Sequence, residues 1–440
     1  MPGGGAGQGG RLDSGKLGGS RLIYHLVESL KGPLEETGLI RILQVVFQVE
    51  FRAFLAVLVS FGLVLAFGRP VIRWLLRQKV GDSPEFHNAD LNDLMRSRAG
   101  TPTMGGILIC GSILITILLL AELRSRYIHL AIAVLVAYSV LGMFDDWLKL
   151  TSARRTPGSR DGLLPWEKLL FQLGLAALFS WVIFTQATVN PIGGVGAQAE
   201  IWQDSARVLN LPFQKTWDTP VETDPFADGE ETMFGLPLNP GVMVLGLGGF
   251  VLLGTLVIAG TSNAVNISDG MDGLAAGVVG FAAVAFMILV HIAGSQVEAQ
   301  SLLVPHVPGT ADLMVVAGAM IGACLGFLWF NSSPAMVFMG DTGSLALGGL
   351  LGYLAVAIRQ EALLVLIGGI FFLEMGSVVL QVGWFKFTRI RTGKGRRLLR
   401  CSPIHHHFHL GGWSEQQVVT RFWLITIVLS MAAFALVKLR

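Results

Sequence analysis

The stretch IHLAIAVLVAYSVLGMFDDWLK, residues 128–149, is an apolar run that ends at two carboxylates and a lysine. A helix needs about 20 mostly apolar residues to cross a bilayer, and Ile128 to Phe144 come close to that length. Asp145 and Asp146 are therefore expected at a membrane surface. They are either the solvated end of a helix, paired with Lys149 through i,i+3 and i,i+4 spacing, or part of a functional site.

Composition extends this reading to the whole chain. Of its 440 residues, 52% are hydrophobic and only 14% are charged, which predicts a polytopic membrane protein. The net charge of +2 argues against nucleic acid as a partner. Cys110, Cys324 and Cys401 lie far apart, so neither a disulfide framework nor a metal cluster is indicated.

Ten apolar runs have the length and composition of membrane spans, so we predict an all-α polytopic membrane protein with about ten transmembrane helices. The runs are Phe51 to Phe67, Met104 to Leu120, Ile128 to Phe144, Leu169 to Ala187, Gly241 to Ala259, Leu274 to Ala293, Leu313 to Phe330, Ser344 to Ile358, Ala362 to Trp384 and Val418 to Val437. The eighth is short and glycine-rich. Residues 1–50 are predicted to be a glycine-rich extension, and residues 51–440 the membrane domain.

Lys and Arg accumulate in cytoplasmic loops, and here they are concentrated in the loops after spans one, three and nine. This distribution predicts that loops after odd-numbered spans face the cytoplasm. The acidic loop from Thr188 to Pro240 is then an extracytoplasmic excursion, to which we assign no catalytic role.

Five polar motifs follow odd-numbered spans, so all five are predicted to face one cytoplasmic cleft. They are RAGTPTMGG (98–106), Asp145-Asp146 with Lys149 and Lys168, NAVNISDGMDG (263–273), NSSPAMVFMGDTGS (331–344) and PIHHHFH (403–409). In the first motif, Pro102 and the glycines break the helix and expose backbone amides. Taken alone, that motif is equally a helix cap.

The third motif carries the most polar side chains. Asp269 and Asp272 are three residues apart and would share a face if a helix begins there. Asn263 and Asn266 can each donate and accept hydrogen bonds, which suits a nucleobase or a sugar. The structural alternative is a soluble loop with an Asp helix cap.

The fourth and fifth motifs suggest phosphate chemistry. Asp341, flanked by glycines, resembles a hard-cation site in which Mg²⁺ takes one or two carboxylates and completes its shell with phosphate oxygens and water. It is also a candidate helix N-cap. Three consecutive histidines diverge too much to share one metal as in a zinc site, and beside arginines they favour phosphate contact or proton transfer. Together the motifs fit phosphoryl transfer from a nucleotide to a membrane lipid.

These residues also carry a family resemblance. TPTMGG at 101–106, DDWLK at 145–149, SNAVNISDGMDGLA at 262–275, FNSSPAMVFMGDTGSLALGG at 330–349 and PIHHHFHLGGW at 403–413 resemble the phospho-N-acetylmuramoyl-pentapeptide transferases of the polyprenyl-phosphate hexose-1-phosphate transferase superfamily. The resemblance implies Mg²⁺-dependent transfer of phospho-MurNAc-pentapeptide from UDP-MurNAc-pentapeptide to undecaprenyl phosphate, which gives lipid I and UMP in peptidoglycan biosynthesis. It also implies ten helices in the bacterial plasma membrane, and a homodimer.

The resemblance assigns roles residue by residue. Asp341 is expected to bind Mg²⁺, and Asp145, with Asp146 beside it, to deprotonate or orient the lipid phosphate. The residues expected to bind the nucleoside or lie near it are Asn263, Asn266, Asp269, Gly270, Asp272, Phe338, Thr103 and Gln381. The residues expected to meet phosphates are Lys149, Lys168, His405, His406 and His407, and Arg98 is expected to bind the substrate. Asp145 could act as a base or as a nucleophile, and we favour the base.

Two positions depart from the family pattern, and two other functions compete. Arg98 stands where the family usually has lysine, which keeps the charge but changes its geometry, and His409 stands where glutamate is usual. A related enzyme could use UDP-GlcNAc as its donor. A transporter would instead place ionisable groups near the middle of the bilayer and show repeat symmetry, whereas these carboxylates cluster at one surface.

Overall fold

The structure is a computed structural model that describes Val45 and residues 48–78, 100–155, 162–188, 197–218 and 236–439. Within these ranges the chain is helical and contains no β-strand, apart from the isolated bridges Val208–Val244 and Trp217–Leu238. The predicted all-α class is confirmed. Arg98 and most of the predicted extension, 1–50, lie outside the described residues.

Fourteen helices form the described part of the chain. They are α1 (Val49–Arg77), α2 (Gly106–Leu120), α3 (Arg126–Arg155), α4 (Pro165–Thr188), α5 (Ala197–Ser205), α6 (Leu247–Ser268), α7 (Leu274–Gly294), α8 (Gln296–Ser301), α9 (Leu313–Asn331), α10 (Gly340–Ala357), α11 (Glu361–Ile367), α12 (Gly369–Thr392), α13 (Ile404–His409) and α14 (Glu415–Lys438). Local chemistry explains several of their ends. Pro165 occupies the first position of α4, where its missing N–H costs nothing. At the start of α14, Ser414 and Gln417 form a reciprocal capping box.

Eight of these helices, α1, α3, α4, α6, α7, α9, α12 and α14, are long and apolar enough to cross a membrane. The chain is therefore a multi-pass membrane protein. The two other predicted spans correspond to α2, which has 15 residues, and to α10, which has 18. The predicted count of ten spans, and the side of the membrane that each end faces, stay predictions.

Helix α10 lies at the centre of the bundle. Every residue from Asp341 to Ala357 is buried, and the helix packs against α3 and α6. A helix that is buried on all sides needs no polar face. Its small residues let its neighbours approach closely. The central position of α10 places Asp341, in its first turn, among the ends of several other helices.

The predicted ninth span, Ala362 to Trp384, is wrong as one continuous helix. The structure divides it into α11 and α12 at Gly368. Gly368 and Gly369 are adjacent, and glycine is a poor helix former, which explains a break at this place. Helix α12 then continues beyond Trp384 to Thr392 and ends at Gly393, whose φ of +73° is a left-handed cap.

Two long connecting segments that lie away from the motifs, residues 197–218 and 295–312, pack against each other. Trp217 Nε1 donates to Val304 O at 2.6 Å, and Ser205 Oγ donates to His306 O at 2.9 Å. A buried ion pair between Arg359 and Glu361, with N–O distance 2.6 Å, lies at the same end of the bundle. These contacts form a cap at the end opposite the five motifs.

Helix α9 packs against α1 through a row of glycines four residues apart. A Cβ at Gly322 would overlap Val57 O, and one at Gly326 would lie 2.8 Å from Val64 Cβ. Such rows let two membrane helices approach until their backbones touch. This contact fixes the position of α9, and with it the loop that follows α9 and leads to Asp341.

We expect Gly322→Leu to lower stability strongly, because the added side chain must separate α9 from α1. Overpacking of this kind costs about 1–3 kcal/mol or more. Thermal unfolding of the protein in detergent measures the loss. The matched control is Gly62→Leu on α1, where a Cβ meets nothing within 4 Å. An equal stability for the two variants would contradict the proposed packing.

Candidate active site

Asp145 and Asp341 are held together by two lysines. Lys149 Nζ lies 2.9 Å from Asp145 Oδ2 and 2.6 Å from Asp341 Oδ2. Lys168 Nζ lies 3.4 Å and 2.7 Å from the same two oxygens. Two carboxylates that meet in a buried place repel each other unless cations lie between them. The two ammonium groups supply that compensation and make the four side chains neutral as a set.

Asn266 adds an amide to this group. Its Nδ2 donates to Asp341 Oδ1 at 2.6 Å and to Ser344 Oγ at 2.8 Å, and its Oδ1 accepts from Lys168 Nζ at 3.3 Å. The end of α6 is thereby tied to the first turn of α10 and to the start of α4. We call Asp145, Lys149, Lys168, Asn266 and Asp341 the carboxylate cluster.

Asp146 points to the first turn of α10. Its Oδ1 accepts from Asp341 N at 3.1 Å, and its Oδ2 accepts from Thr342 N at 2.9 Å and from Thr342 Oγ1 at 2.7 Å. The first backbone N–H groups of a helix lack partners within the helix, and a carboxylate there is also favoured by the helix dipole. Asp146 therefore caps α10 from a neighbouring helix and holds Asp341 in place.

We expect Asp146→Ala to lower the free energy of unfolding, because loss of a helix cap typically costs about 0.5–2 kcal/mol. Turnover should fall as well, since the first turn of α10 loses the group that positions Asp341. Thermal unfolding and a turnover assay on the same sample check both effects. Unchanged stability with complete loss of turnover would instead give Asp146 a direct chemical role.

The segment 101–106 docks beside the first turn of α10. Gly105 N donates to Phe338 O and Gly106 N to Met339 O, both at 2.8 Å, and Phe338 N donates to Pro102 O at 2.8 Å. A Cβ on Gly106 would overlap the backbone of Gly343. The TPTMGG motif thus pairs with the chain that leads to Asp341, rather than only capping α2.

Gly340 is a second close point of this contact. Its φ of +71° is left-handed, a region that glycine adopts without strain. A Cβ there would lie 2.8 Å from Asp146 Oδ2 and 2.9 Å from Thr103 Oγ1. Thr103, predicted as a substrate-binding residue, is therefore next to the carboxylate cluster.

The turn 269–273 is fixed by three neighbours. Asp272 Oδ2 accepts from Ala335 N at 3.0 Å, and Asp272 N donates to Glu415 Oε1 at 2.8 Å. Gly273 N donates to Asn331 Oδ1 at 2.9 Å. The turn therefore joins the loop after α9 to the start of α14. Asp269, predicted on a shared helical face with Asp272, instead lies at the C-cap of α6.

The histidines occupy three different environments. His405 Nδ1 lies 3.0 Å from Glu374 Oε2, and neither side chain is exposed to solvent. The ring of His406 is also buried, with its centroid 4.1 Å from that of His405. His407 is partly exposed and accepts from Arg400 N at 3.1 Å. As predicted, the three side chains do not converge on one place: the rings of His405 and His406 lie together, and His407 meets a different neighbour.

The remaining predicted residues lie farther from the cluster. Gln381 is bonded to the loop after α12, where its Oε1 accepts from Leu398 N at 3.0 Å and from Leu399 N at 2.8 Å. Asn263 lies one turn before Asn266, and its Nδ2 donates to Gln172 Oε1 at 2.6 Å. Neither residue has a direct contact with Asp145 or Asp341 among the hydrogen bonds of the described chain.

The donor atoms suit a hard cation that is only partly bound by protein. Asp145 and Asp341 bring carboxylate oxygens to one place, and the described residues contain no group of three His, Cys, Asp or Glu side chains that could hold a metal. Mg²⁺ usually takes one or two carboxylates and completes its octahedron with phosphate and water. The residues present therefore fit Mg²⁺, with Asp341 as the predicted ligand.

Comparison with known proteins identifies the family of this chain. A model of glycosyl transferase family 4 matches residues 127–359, and the phospho-N-acetylmuramoyl-pentapeptide-transferase signature 1 matches residues 99–110. A phospho-N-acetylmuramoyl-pentapeptide-transferase of Thermodesulfovibrio yellowstonii is 40% identical over 398 residues, which cover 89% of this chain and 94% of that protein. The chain belongs to the phospho-N-acetylmuramoyl-pentapeptide transferase family. The family predicted from the five motifs is confirmed.

In this member of the family, the sequence pattern assigns no role to several residues that the structure places at the site. Ser344 and Asn331 lie within a motif and have no predicted role, and Glu415 and Glu374 lie outside the five motifs. Glu374 can be identified from the sequence as a functional candidate, because a carboxylate inside an apolar span is costly. Glu415 follows the last motif and looks like ordinary solvated charge.

Proposed function

We propose that this chain transfers phospho-N-acetylmuramoyl-pentapeptide from UDP-MurNAc-pentapeptide to undecaprenyl phosphate, giving lipid I and UMP. The observation that carries the proposal is the carboxylate cluster, where Asp145 and Asp341 share Lys149 and Lys168 at the end of an apolar helix. A soluble nucleotide and a lipid phosphate can meet only at such a boundary.

The reaction needs little covalent chemistry from the protein. An oxygen of the lipid phosphate forms a bond to the phosphorus that carries the sugar, and the bond from that phosphorus to the bridging diphosphate oxygen breaks. The bridging oxygen leaves with UMP. Catalysis of phosphoryl transfer is mostly positioning and charge stabilisation. Asp145 would take the proton of the lipid phosphate, and Lys149 and Lys168 would hold phosphate oxygens.

Mg²⁺ is the cofactor that we propose for this site. When bound, it would neutralise charge on the donor diphosphate. Asp341 would hold it, with phosphate oxygens and water as its remaining ligands. The side chain of Lys149 is 42% exposed, so its ammonium group is already near the surface and can turn toward a phosphate oxygen.

The nucleoside is proposed to lie along the turn 269–273 and the chain before α10. The residues proposed there are Asn263, Asn266, Asp269, Gly270, Asp272, Phe338, Thr103 and Gln381. Phosphate contacts are proposed for His405, His406 and His407, and substrate binding for Arg98. Location in a bacterial plasma membrane with the site facing the cytoplasm, and a homodimer, are further parts of the proposal.

Purified protein tests the donor and the metal together. UMP release and lipid product are measured with undecaprenyl phosphate and either UDP-MurNAc-pentapeptide or UDP-GlcNAc, with Mg²⁺ present and after its removal by chelation. We expect product only with the muramoyl donor and only with the metal. Product with UDP-GlcNAc alone would overturn the choice of donor, and full activity after chelation would overturn the choice of cofactor.

A further inference from the structure

Glu374 and His405 form a buried pair whose role does not follow from the carboxylate cluster. Glu374 lies on α12, in the apolar segment Gly369–Thr392, and His405 lies on α13. Both side chains are fully buried, and Glu374 Oε2 is 3.0 Å from His405 Nδ1. A buried carboxylate is costly without a proton or a cation beside it. One proton must therefore lie between these two atoms.

That proton fixes the state of the ring. The hydrogen bond at Nδ1 decides whether the second ring nitrogen, Nε2, carries a hydrogen or a lone pair, and it fixes the direction in which Nε2 points. Nε2 has no hydrogen-bond partner among the described residues, although it is buried. Buried polar atoms are rarely left unpartnered, and such an atom calls for an explanation.

Nε2 points at the turn 269–273. A Cβ built on Gly270 would lie 2.5 Å from Nε2 and 2.8 Å from Cε1 of His405. Only a residue without a side chain can lie against the ring in this way. The same turn begins at the end of α6, three residues after Asn266, which bonds to Asp341 at 2.6 Å. The ring is thus at the edge of the site, on the side of α6.

We propose that Glu374 is a positioning residue that fixes the orientation of His405, so that the ring packs against Gly270 and holds the turn 269–273 in place for the donor nucleotide. The proposal rests on the proposed function, because it assumes that the nucleotide lies along this turn. Gly270 covers Nε2, so the ring acts on the nucleotide through the position of this turn and not by direct contact at Nε2. Glu374 itself touches no substrate and acts through His405.

The experiment compares Glu374→Gln, His405→Gln and the double variant. Loss of a residue that orients a metal-binding histidine typically costs about 10- to 100-fold in activity, and we expect a loss of that size in kcat/KM for the UDP donor from Glu374→Gln. The KM for undecaprenyl phosphate should not change. The double variant should be no worse than His405→Gln alone, because Glu374 has no other route to the substrate. The proposal would be overturned if Glu374→Gln lowered kcat/KM equally in the unsubstituted protein and in His405→Gln, or if it raised the KM for undecaprenyl phosphate.

Binding of UMP gives a readout without turnover. We expect titration calorimetry to show weaker UMP binding to Glu374→Gln than to the unsubstituted protein. This measurement distinguishes failure of the proposed role of Glu374 from failure of the proposed function. If the sugar donor is wrong, the activity assay gives no product, but UMP binding can still be measured. Unchanged UMP affinity in Glu374→Gln would exclude the proposed role of Glu374.

The matched control is Glu361→Gln, which removes another buried, ion-paired carboxylate at the opposite end of the bundle. It should lower thermal stability without changing UMP affinity. If Glu374→Gln does not fold, Gly270→Ala tests the same contact from the other side, since its Cβ must displace His405. Normal UMP affinity in Gly270→Ala would also contradict the proposal.

Discussion

Asp341→Ala is expected to lower turnover about a thousand-fold, since a bound metal stabilises transition-state charge by several kcal/mol and each tenfold in rate corresponds to about 1.4 kcal/mol. The substitution removes the carboxylate that contacts Lys149, Lys168 and Asn266. Increasing Mg²⁺ should not restore the rate. UMP release measured across a series of Mg²⁺ concentrations checks the prediction.

The control for this variant is Asp312→Ala. Asp312 likewise lies at the start of a helix, as the N-cap of α9, and pairs with a cation, Arg52, at 2.7 Å, but at the opposite end of the bundle. It should keep normal turnover and normal Mg²⁺ dependence. Near-normal turnover of Asp341→Ala, with the Mg²⁺ dependence of the unsubstituted protein, would remove Asp341 as the metal ligand.

The sequence predicted the helices well where composition alone decides them. Runs such as Leu274 to Ala293 and Leu313 to Phe330 match α7 and α9 closely, because a bilayer imposes both length and apolarity. The prediction failed at Gly368, where a local break interrupts a run that stays apolar on both sides. Hydropathy averages over such a break and cannot detect it.

Contacts between motifs were less predictable than the motifs themselves. Asp145 and Asp146 are neighbours in sequence, yet one joins the two lysines and the other caps α10. Successive residues of a helix point about 100° apart, so adjacent identical side chains meet different neighbours. Which aspartate faces which neighbour depends on the packing of α3 against α10, and that information is absent from a single sequence.

The histidine motif shows the same limit. The sequence indicated that three consecutive side chains would not all meet at one metal, and they do not, because only the rings of His405 and His406 lie together. It could not indicate that His405 meets a carboxylate from α12, because Glu374 is 31 residues away in the chain. The missed signal was Glu374 itself, a charge inside an apolar run.

Asp145→Asn is expected to lower turnover by about 10²- to 10⁴-fold, the usual contribution of a general base. Asparagine keeps the shape of the side chain and can still accept the hydrogen bond from Leu163 N, which is 2.7 Å long at Asp145 Oδ1. It cannot take a proton. Steady-state UMP release measures the loss, and thermal unfolding shows whether the fold is retained.

An exchange assay with labelled UMP distinguishes a base from a nucleophile at Asp145. If Asp145 is a base, the lipid phosphate attacks the donor directly, and labelled UMP should not exchange into UDP-MurNAc-pentapeptide when the lipid is absent. A covalent intermediate on Asp145 would instead release UMP without an acceptor, and exchange would occur, because such an intermediate divides the reaction into two steps. Exchange that disappears in Asp145→Asn would therefore replace the base by a nucleophile, whereas near-normal turnover of Asp145→Asn would exclude both roles.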